Sequence, residues 1–154
     1  HLMLPGITYD VVLELAAANG MPAEVRNIAE AEMRAADELW MTSSTKEVLP
    51  ITVLDGRPVG SGAPGPCFRR MYDWYQAFKA TALAAFLNAN PHAQAVLDVV
   101  LRHAPDFDAA GMEMRTSAKG GYLALTCTIR AVSREQLDAL YRELTAHPAV
   151  KVVL

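Results

Sequence analysis

Two short stretches of the sequence carry residues that could bind an anion. The first is a Pro-Gly turn followed by Ile7 and Thr8, directly before a helical pattern. The second is a hydroxyl-rich run that contains Ser43 and Ser44. A helix start offers free N–H groups and the positive end of the dipole, which together suit a phosphate. The more common role of a Thr at such a position is only to cap its helix, and both roles stay open here.

Taken together, the two stretches resemble part of a known enzyme family. The phrases LPGIT, AADELWMTSSTKEVLPI, LDGRPVG and GPCFRRMYDWYQ follow one another over roughly residues 4–80. In this order they resemble the C-terminal part of the fold-type IV (class IV) pyridoxal-phosphate aminotransferases, the D-amino-acid and branched-chain enzymes. The resemblance implies pyridoxal phosphate as cofactor. It also implies that the N–H of Ile7 and the N–H and hydroxyl groups of Thr8, Ser43 and Ser44 hold the cofactor phosphate.

The sequence departs from this family in two ways that concern catalysis. Tyr9 stands where the family usually has Arg, and the family's Schiff-base lysine lies upstream, in sequence that this chain does not contain. Transamination needs that lysine to bind the cofactor and to move the proton. None of the chain's own lysines aligns with it; they are Lys46, Lys79, Lys119 and Lys151. We therefore assign no catalytic residue and expect no turnover by this chain alone.

Composition narrows the class of protein. The chain has 154 residues, 52% hydrophobic and 20% charged, which is typical of one ordinary globular domain or two small ones. A net charge of -3 without a basic stripe argues against nucleic acid as a partner. Two distant cysteines and four scattered histidines indicate neither a disulfide framework nor a metal site. We interpret both cysteines as reduced, in a cytoplasmic protein. No apolar run has the length of a membrane span.

Hydrophobic periodicity predicts the elements of the first part of the chain. Helices are expected over residues 9–18, 29–36 and 67–87, and strands over 24–28, 38–41 and 47–54. Asp55-Gly56 predicts a hairpin turn. The last helix carries an aromatic stripe between residues 71 and 86, which is typical of a core or an interface. Asn88–Pro91 breaks the pattern and sets the predicted domain boundary, with domains at 1–87 and 88–154.

The sequence pattern of residues 88–154 predicts, in order, a helix, two strands, a second helix and a last strand. The phrases HAPDFD, SAKGGYLALTCTIRA and SREQLDALYRELTAHPAVKVVL resemble the YbeD-like family of small bacterial proteins over about residues 93–154. That resemblance implies an ACT-like, ferredoxin-type βαββαβ fold, from which the first strand is missing here. The predicted fold class is therefore α/β (α+β). It combines a truncated fold-type IV aminotransferase C-terminal domain with an incomplete ferredoxin-like, ACT-like αββαβ unit.

The missing strand affects the predicted last strand, Val150–Leu154. The first strand of a ferredoxin-type sheet is central, so the last strand would face a gap with unpaired backbone groups. We expect either a strand from residues 24–59, or one swapped from another subunit, to complete the sheet. The second possibility predicts a homodimer or a strand-swapped oligomer.

Three hypotheses for function follow from these patterns. The first is a fusion of a truncated D-amino-acid aminotransferase-like domain with a small ACT-like regulatory or binding module, not catalytically competent alone. An alternative is a pyridoxal-phosphate-dependent aminotransferase of D- or branched-chain amino acids whose lysine half is missing from this chain. A third is a structural role in which the aromatic stripe is an interface. The small-molecule ligand of the second module is not indicated by the sequence.

Overall fold

The computed structural model describes residues 7–43, 46–116 and 122–154. The chain divides into two units, of which the first ends at Lys79 and the second begins at Ala80. Both combine helices with small antiparallel sheets, as the predicted mixed α and β fold class requires. The predicted domain boundary between residues 87 and 88 stays a prediction.

Three helices belong wholly or partly to the first unit: α1 (Ile7–Ala18), α2 (Glu30–Arg34) and α3 (Pro66–Ala89). Helix α1 ends as predicted, because Gly20 adopts a φ of 67° that a residue with a side chain rarely tolerates. The N–H of Met21 then donates a hydrogen bond to the carbonyl of Ala16 at 2.9 Å. The predicted helices at 29–36 and 67–87 are confirmed, the former in shorter form.

Two hairpins form the strands of the first unit. Strand β1 (Leu39–Ser43) pairs antiparallel with β2 (Glu47–Ile51), and β3 (Val53–Leu54) pairs with β4 (Arg57–Pro58). The turn of the second hairpin has positive φ at Asp55 (49°) and Gly56 (75°), the geometry that matches strand twist. The strand predicted over residues 24–28 is wrong, because this segment has no partner strand and exposes both Val25 and Ile28.

The core of the first unit lies between α1, the inner face of the β1–β2 hairpin, and the start of α3. Its buried members are Ala16, Val48, Phe68 and Met71. Trp40, Trp74 and Tyr75 are partly buried against them. The first residues of the aromatic stripe are therefore core residues, whereas Phe78 is exposed.

The second unit consists of two helices and one hairpin after the end of α3. Helix α4 (Pro91–His103) is followed by strands β5 (Glu113–Thr116) and β6 (Leu123–Thr126), which pair antiparallel, and by α5 (Arg134–Ala146). Residues 117–121, between these two strands, lie outside the described residues. Val99, Val100 and Leu140 form the core, and Phe107, Cys127, Ile129 and Leu144 pack against it.

A side-chain cap begins α5, as the Ser-x-x-Gln pattern predicts. The hydroxyl of Ser133 accepts from the N–H of Gln136 at 3.1 Å, and the side-chain oxygen of Gln136 accepts from the N–H of Val132 at 2.8 Å. The amide nitrogen of Gln136 also donates to the carbonyl of His103 at 2.7 Å. One side chain therefore caps α5 and ties it to the end of α4.

The predicted last strand, Val150–Leu154, is wrong. The segment follows a turn in which the N–H of Val150 donates to the carbonyl of His147 at 3.0 Å, and it forms no strand. Among the described residues, the second unit's sheet consists of β5 and β6, and the strands between residues 39 and 58 pair with one another in the first unit. With no neighbouring strand, the backbone of residues 151–154 has no ladder to join.

Two further features of the described residues concern membranes and metals. Among the described helices, none is both long and apolar enough to cross a membrane. No group of three or more His, Cys, Asp or Glu side chains with the placement of a metal site occurs within residues 7–43, 46–116 and 122–154.

Candidate anion site

Thr8 and Ser43 meet in the first unit, although 35 positions separate them. Thr8 is the second residue of α1 and only 8% exposed, and Ser43 is the last residue of β1. The hydroxyl of Thr8 donates to the backbone carbonyl of Ser43 at 3.3 Å. The two stretches singled out by the sequence therefore lie side by side.

Several donors at this place have no acceptor among the described residues. Ile7 and Thr8 are the first two residues of α1, so their N–H groups have no acceptor within the helix. The hydroxyl oxygen of Ser43 accepts from the N–H of Lys46 at 2.9 Å, which leaves its own O–H free to donate elsewhere. Ser44 lies outside the described residues. The arrangement supplies backbone and hydroxyl donors next to a helix N-terminus, the donor set that binds phosphate.

Glu47 connects the start of β2 to helix α3. It begins β2 with a φ of 58°, which is uncommon for a residue with a side chain. Its carboxylate forms an ion pair with Lys79 and accepts from the side-chain amide of Gln76 at 2.9 Å. Burial raises the pKa of Glu47, but the hydrogen bonds from Lys79 and Gln76 outweigh burial and hold the pKa below its ordinary value.

The contacts of the four lysines determine which of their amines could react with a cofactor. Lys79 is largely buried, and its amine is engaged with Glu47. Lys46 is exposed and contributes its backbone N–H, not its amine, to Ser43. Lys119 lies outside the described residues, and Lys151 belongs to the second unit.

Glu38 positions α3, the helix that carries Gln76 and Lys79. Its carboxylate accepts from the N–H groups of Cys67 at 2.9 Å and Phe68 at 2.7 Å, in the first turn of α3. Burial raises the pKa of Glu38, but these N–H groups outweigh burial and the pKa lies below its ordinary value. Sequence reasoning missed this cap, because 29 positions separate Glu38 from Cys67 and no local pattern joins them.

Glu143 joins the two helices of the second unit. Its carboxylate accepts from Nε of Arg102 at 3.1 Å and lies 2.6 Å from Nε2 of His103. Hydrogen bonds from Arg102 and then His103 lower the pKa of Glu143. On the other side of α5, Tyr141 and Thr145 line a groove together with residues 150–153.

Comparison with known proteins identifies both parts of the chain. Residues 1–54 match the family model for amino-transferase class IV. Residues 76–154 match the model described as protein of unknown function (DUF493), and the chain belongs to that family. Both resemblances expected from the sequence are thereby confirmed, and the chain joins a short class IV aminotransferase segment to a DUF493 domain.

Individual relatives agree with this division. A UPF0250 protein of Ralstonia nicotianae is 58% identical over 62 residues, which are 40% of this chain and 64% of the relative. A UPF0250 protein of Bordetella pertussis is 58% identical over 62 residues, 40% of this chain and 68% of the relative. A D-alanine aminotransferase of Bacillus licheniformis is 48% identical over 65 residues, 42% of this chain but 23% of the enzyme. The chain thus spans about two thirds of the UPF0250 relatives and under a quarter of the aminotransferase.

Proposed function

We propose that the chain is a binding protein and not a transaminase in its own right. The first unit retains a phosphate-binding site for pyridoxal phosphate. The DUF493 domain acts as an ACT-like module that binds a small regulatory molecule. The protein works in the cytoplasm, where Cys67 and Cys127 remain free thiols.

The contact between Thr8 and Ser43 is the observation that carries this proposal. It sets the start of α1 beside the end of β1, so that the N–H groups of Ile7 and Thr8 and the O–H of Ser43 can converge on one anion. The Thr8 hydroxyl already donates to Ser43, so we assign its backbone N–H to the phosphate. The described residues thus fit the phosphate of the cofactor.

Catalysis needs more than a phosphate site. When bound, pyridoxal phosphate supplies the electron sink for transamination, while the protein must supply an amine that carries and moves a proton. The partly buried Lys79 is engaged by Glu47. The exposed Lys46 has no partner among the described residues that would prepare it as a nucleophile. We therefore expect binding without turnover.

The proposal is tested by titration with pyridoxal phosphate, followed by borohydride reduction and mass spectrometry. We expect saturable binding and no stoichiometric adduct on any single lysine. Thr8→Ala removes the hydroxyl that holds Ser43 in place, and it should weaken binding about fivefold, the equivalent of one neutral hydrogen bond of about 1 kcal/mol. Thr128→Ala, an exposed threonine of the second unit, should leave binding unchanged. Absence of any saturable binding would overturn the proposal.

The match to D-alanine aminotransferase favours one alternative function. In this alternative the chain is the phosphate-binding part of an aminotransferase for D- or branched-chain amino acids, and the lysine is supplied from elsewhere. Turnover of D-alanine and a 2-oxo acid that appears only when the lysine-containing part of such an enzyme is added with the cofactor would support it. A stoichiometric borohydride adduct on Lys46 would show instead that this chain supplies its own amine, and it would contradict this alternative.

A further inference from the structure

Two segments of the second unit have a backbone that is open for strand pairing. Residues 127–131 continue β6 beyond its last ladder residue, Thr126, and residues 151–154 follow the turn after α5. No backbone hydrogen bond joins either segment to any other described residue. Unpaired N–H and C=O groups in a row form a template for pairing with another strand.

The first segment has the side-chain pattern of a strand that covers a core. Cys127 and Ile129 pack against the core formed by α4 and α5. The residues between and after them, Thr128 and Arg130, are exposed. Alternation of this kind places one row of side chains on the helices and leaves the backbone edge free.

The second segment is apolar yet exposed to solvent. Val152 is 72% exposed, and the side chain of Leu154 is fully exposed. Val150, Val152 and Leu154 share one side of an extended chain, and Lys151 lies on the other. Burial of these three apolar side chains against a core such as that beside Ile129 would be favourable in free energy.

We propose that a second copy of this chain provides the partner strand. Val150–Leu154 of one copy pairs along residues 127–131 of the other, and the reverse contact forms at the same time. The occupant is a second copy because one chain carries both halves of the contact, the open edge and the exposed apolar strand. Within a single copy the two segments do not pair with each other, and no other described strand pairs with either of them.

A reciprocal exchange of strands between two copies forms a closed dimer. When each copy gives one strand and accepts one, the contact is isologous and stops at a dimer. The backbone hydrogen bonds supply affinity, and the alternating side chains fix the register. Lys151 remains in water, so the exchange buries no unpaired charge.

The test compares two valines with nearly the same exposure in the full-length chain. Val152→Asp changes the proposed donor strand, while Val25→Asp changes a first-unit residue that is 70% exposed and serves as control. Sedimentation equilibrium of the unmodified chain should show the mass doubling as concentration rises. Val152→Asp should weaken dimerisation at least tenfold, and Val25→Asp should leave it unchanged.

Hydrogen exchange followed by mass spectrometry locates the contact. In the dimer, amides of residues 127–131 and 151–154 should exchange more slowly than in dilute, monomeric protein. A chain that stays monomeric at every concentration would overturn the proposal. So would a dimer that Val152→Asp does not weaken, or one whose protected amides lie elsewhere. These outcomes are independent of pyridoxal phosphate, so they do not depend on the function proposed above.

Discussion

The hydroxyl of Thr8 donates to the carbonyl of Ser43 at 3.3 Å, and this contact joins the start of α1 to the end of β1. The contact brings backbone and hydroxyl donors from two separate sequence stretches close together.

Removal of the Thr8 hydroxyl should destabilise the first unit. Thr8→Val keeps the shape of the side chain but leaves the Ser43 carbonyl without this donor, at a cost of about 1 kcal/mol. Thr8→Ser retains the hydroxyl and should cost less. Urea unfolding followed by tryptophan fluorescence measures the difference, because Trp40 and Trp74 pack in this unit. Equal stability of Thr8→Val and the unmodified chain would contradict the contact.

The ion pair between Glu47 and Lys79 should contribute more than a surface pair. Lys79→Met leaves the partly buried Glu47 carboxylate with only Gln76 as partner, and we expect a loss of about 1–3 kcal/mol. Glu47→Gln in the Lys79→Met background should recover part of this loss, because the unpaired charge is gone. A double-mutant cycle that gives no coupling would show that the pair is not formed in solution.

The same pair predicts a pH dependence. The pKa of Glu47 is lower in the folded chain than its ordinary value of 4.5, so the stabilisation is present above that value. It is lost as the pH falls through the lower, folded pKa, where the carboxylate takes up a proton. Glu47→Gln should therefore reduce the acid sensitivity of the unfolding free energy. An identical pH profile for this variant and the unmodified chain would contradict the assignment.

Two glycines of the first unit provide a matched test of close packing. Both Gly56 and Gly60 have positive φ, 75° and 51°. A Cβ at Gly56 would meet no other atom, whereas a Cβ at Gly60 would overlap the backbone carbonyl of Asp37. Gly56→Ala should cost about 1 kcal/mol from backbone strain, and Gly60→Ala clearly more. Thermal unfolding of the two variants compares them directly, and an equal cost would refute the close approach.

Two leucines of helix α5 provide a matched test of which face of the helix packs on the core. Leu140 is buried in the core of the second unit, while Leu137 is 41% exposed. Leu140→Ala should cost about 2–5 kcal/mol, and Leu137→Ala well under half of that. Chemical unfolding monitored by circular dichroism gives both values. A larger effect at Leu137 would mean that the helix packs through a different face.

Local sequence patterns predicted much of this fold. The glycine end of α1, the Asp55-Gly56 hairpin and the Ser133 cap depend on neighbouring residues, and all three occur as expected. The resemblance to aminotransferases also predicts that Thr8 and Ser43 contribute to one site. Each of these predictions needed only short-range rules or a recognised motif.

Contacts between distant residues were not predictable in the same way. The Glu38 cap on α3 and the ion pair of Glu47 with Lys79 link residues about thirty positions apart, and charge alone does not choose between partners. The prediction of the last strand was wrong for a related reason. Val150–Leu154 has strand-forming residues, but a strand also requires a neighbour, and no described residue of its own chain provides one.

The central claim is that Ile7, Thr8 and Ser43 form a phosphate site. The most direct measurement is an NMR titration of isotope-labelled chain that follows the backbone amide signals of these residues. Pyridoxal phosphate and inorganic phosphate should both shift them, whereas pyridoxal, which lacks the phosphate, should not. Signals that stay in place with pyridoxal phosphate, or that respond equally to pyridoxal, would contradict the claim.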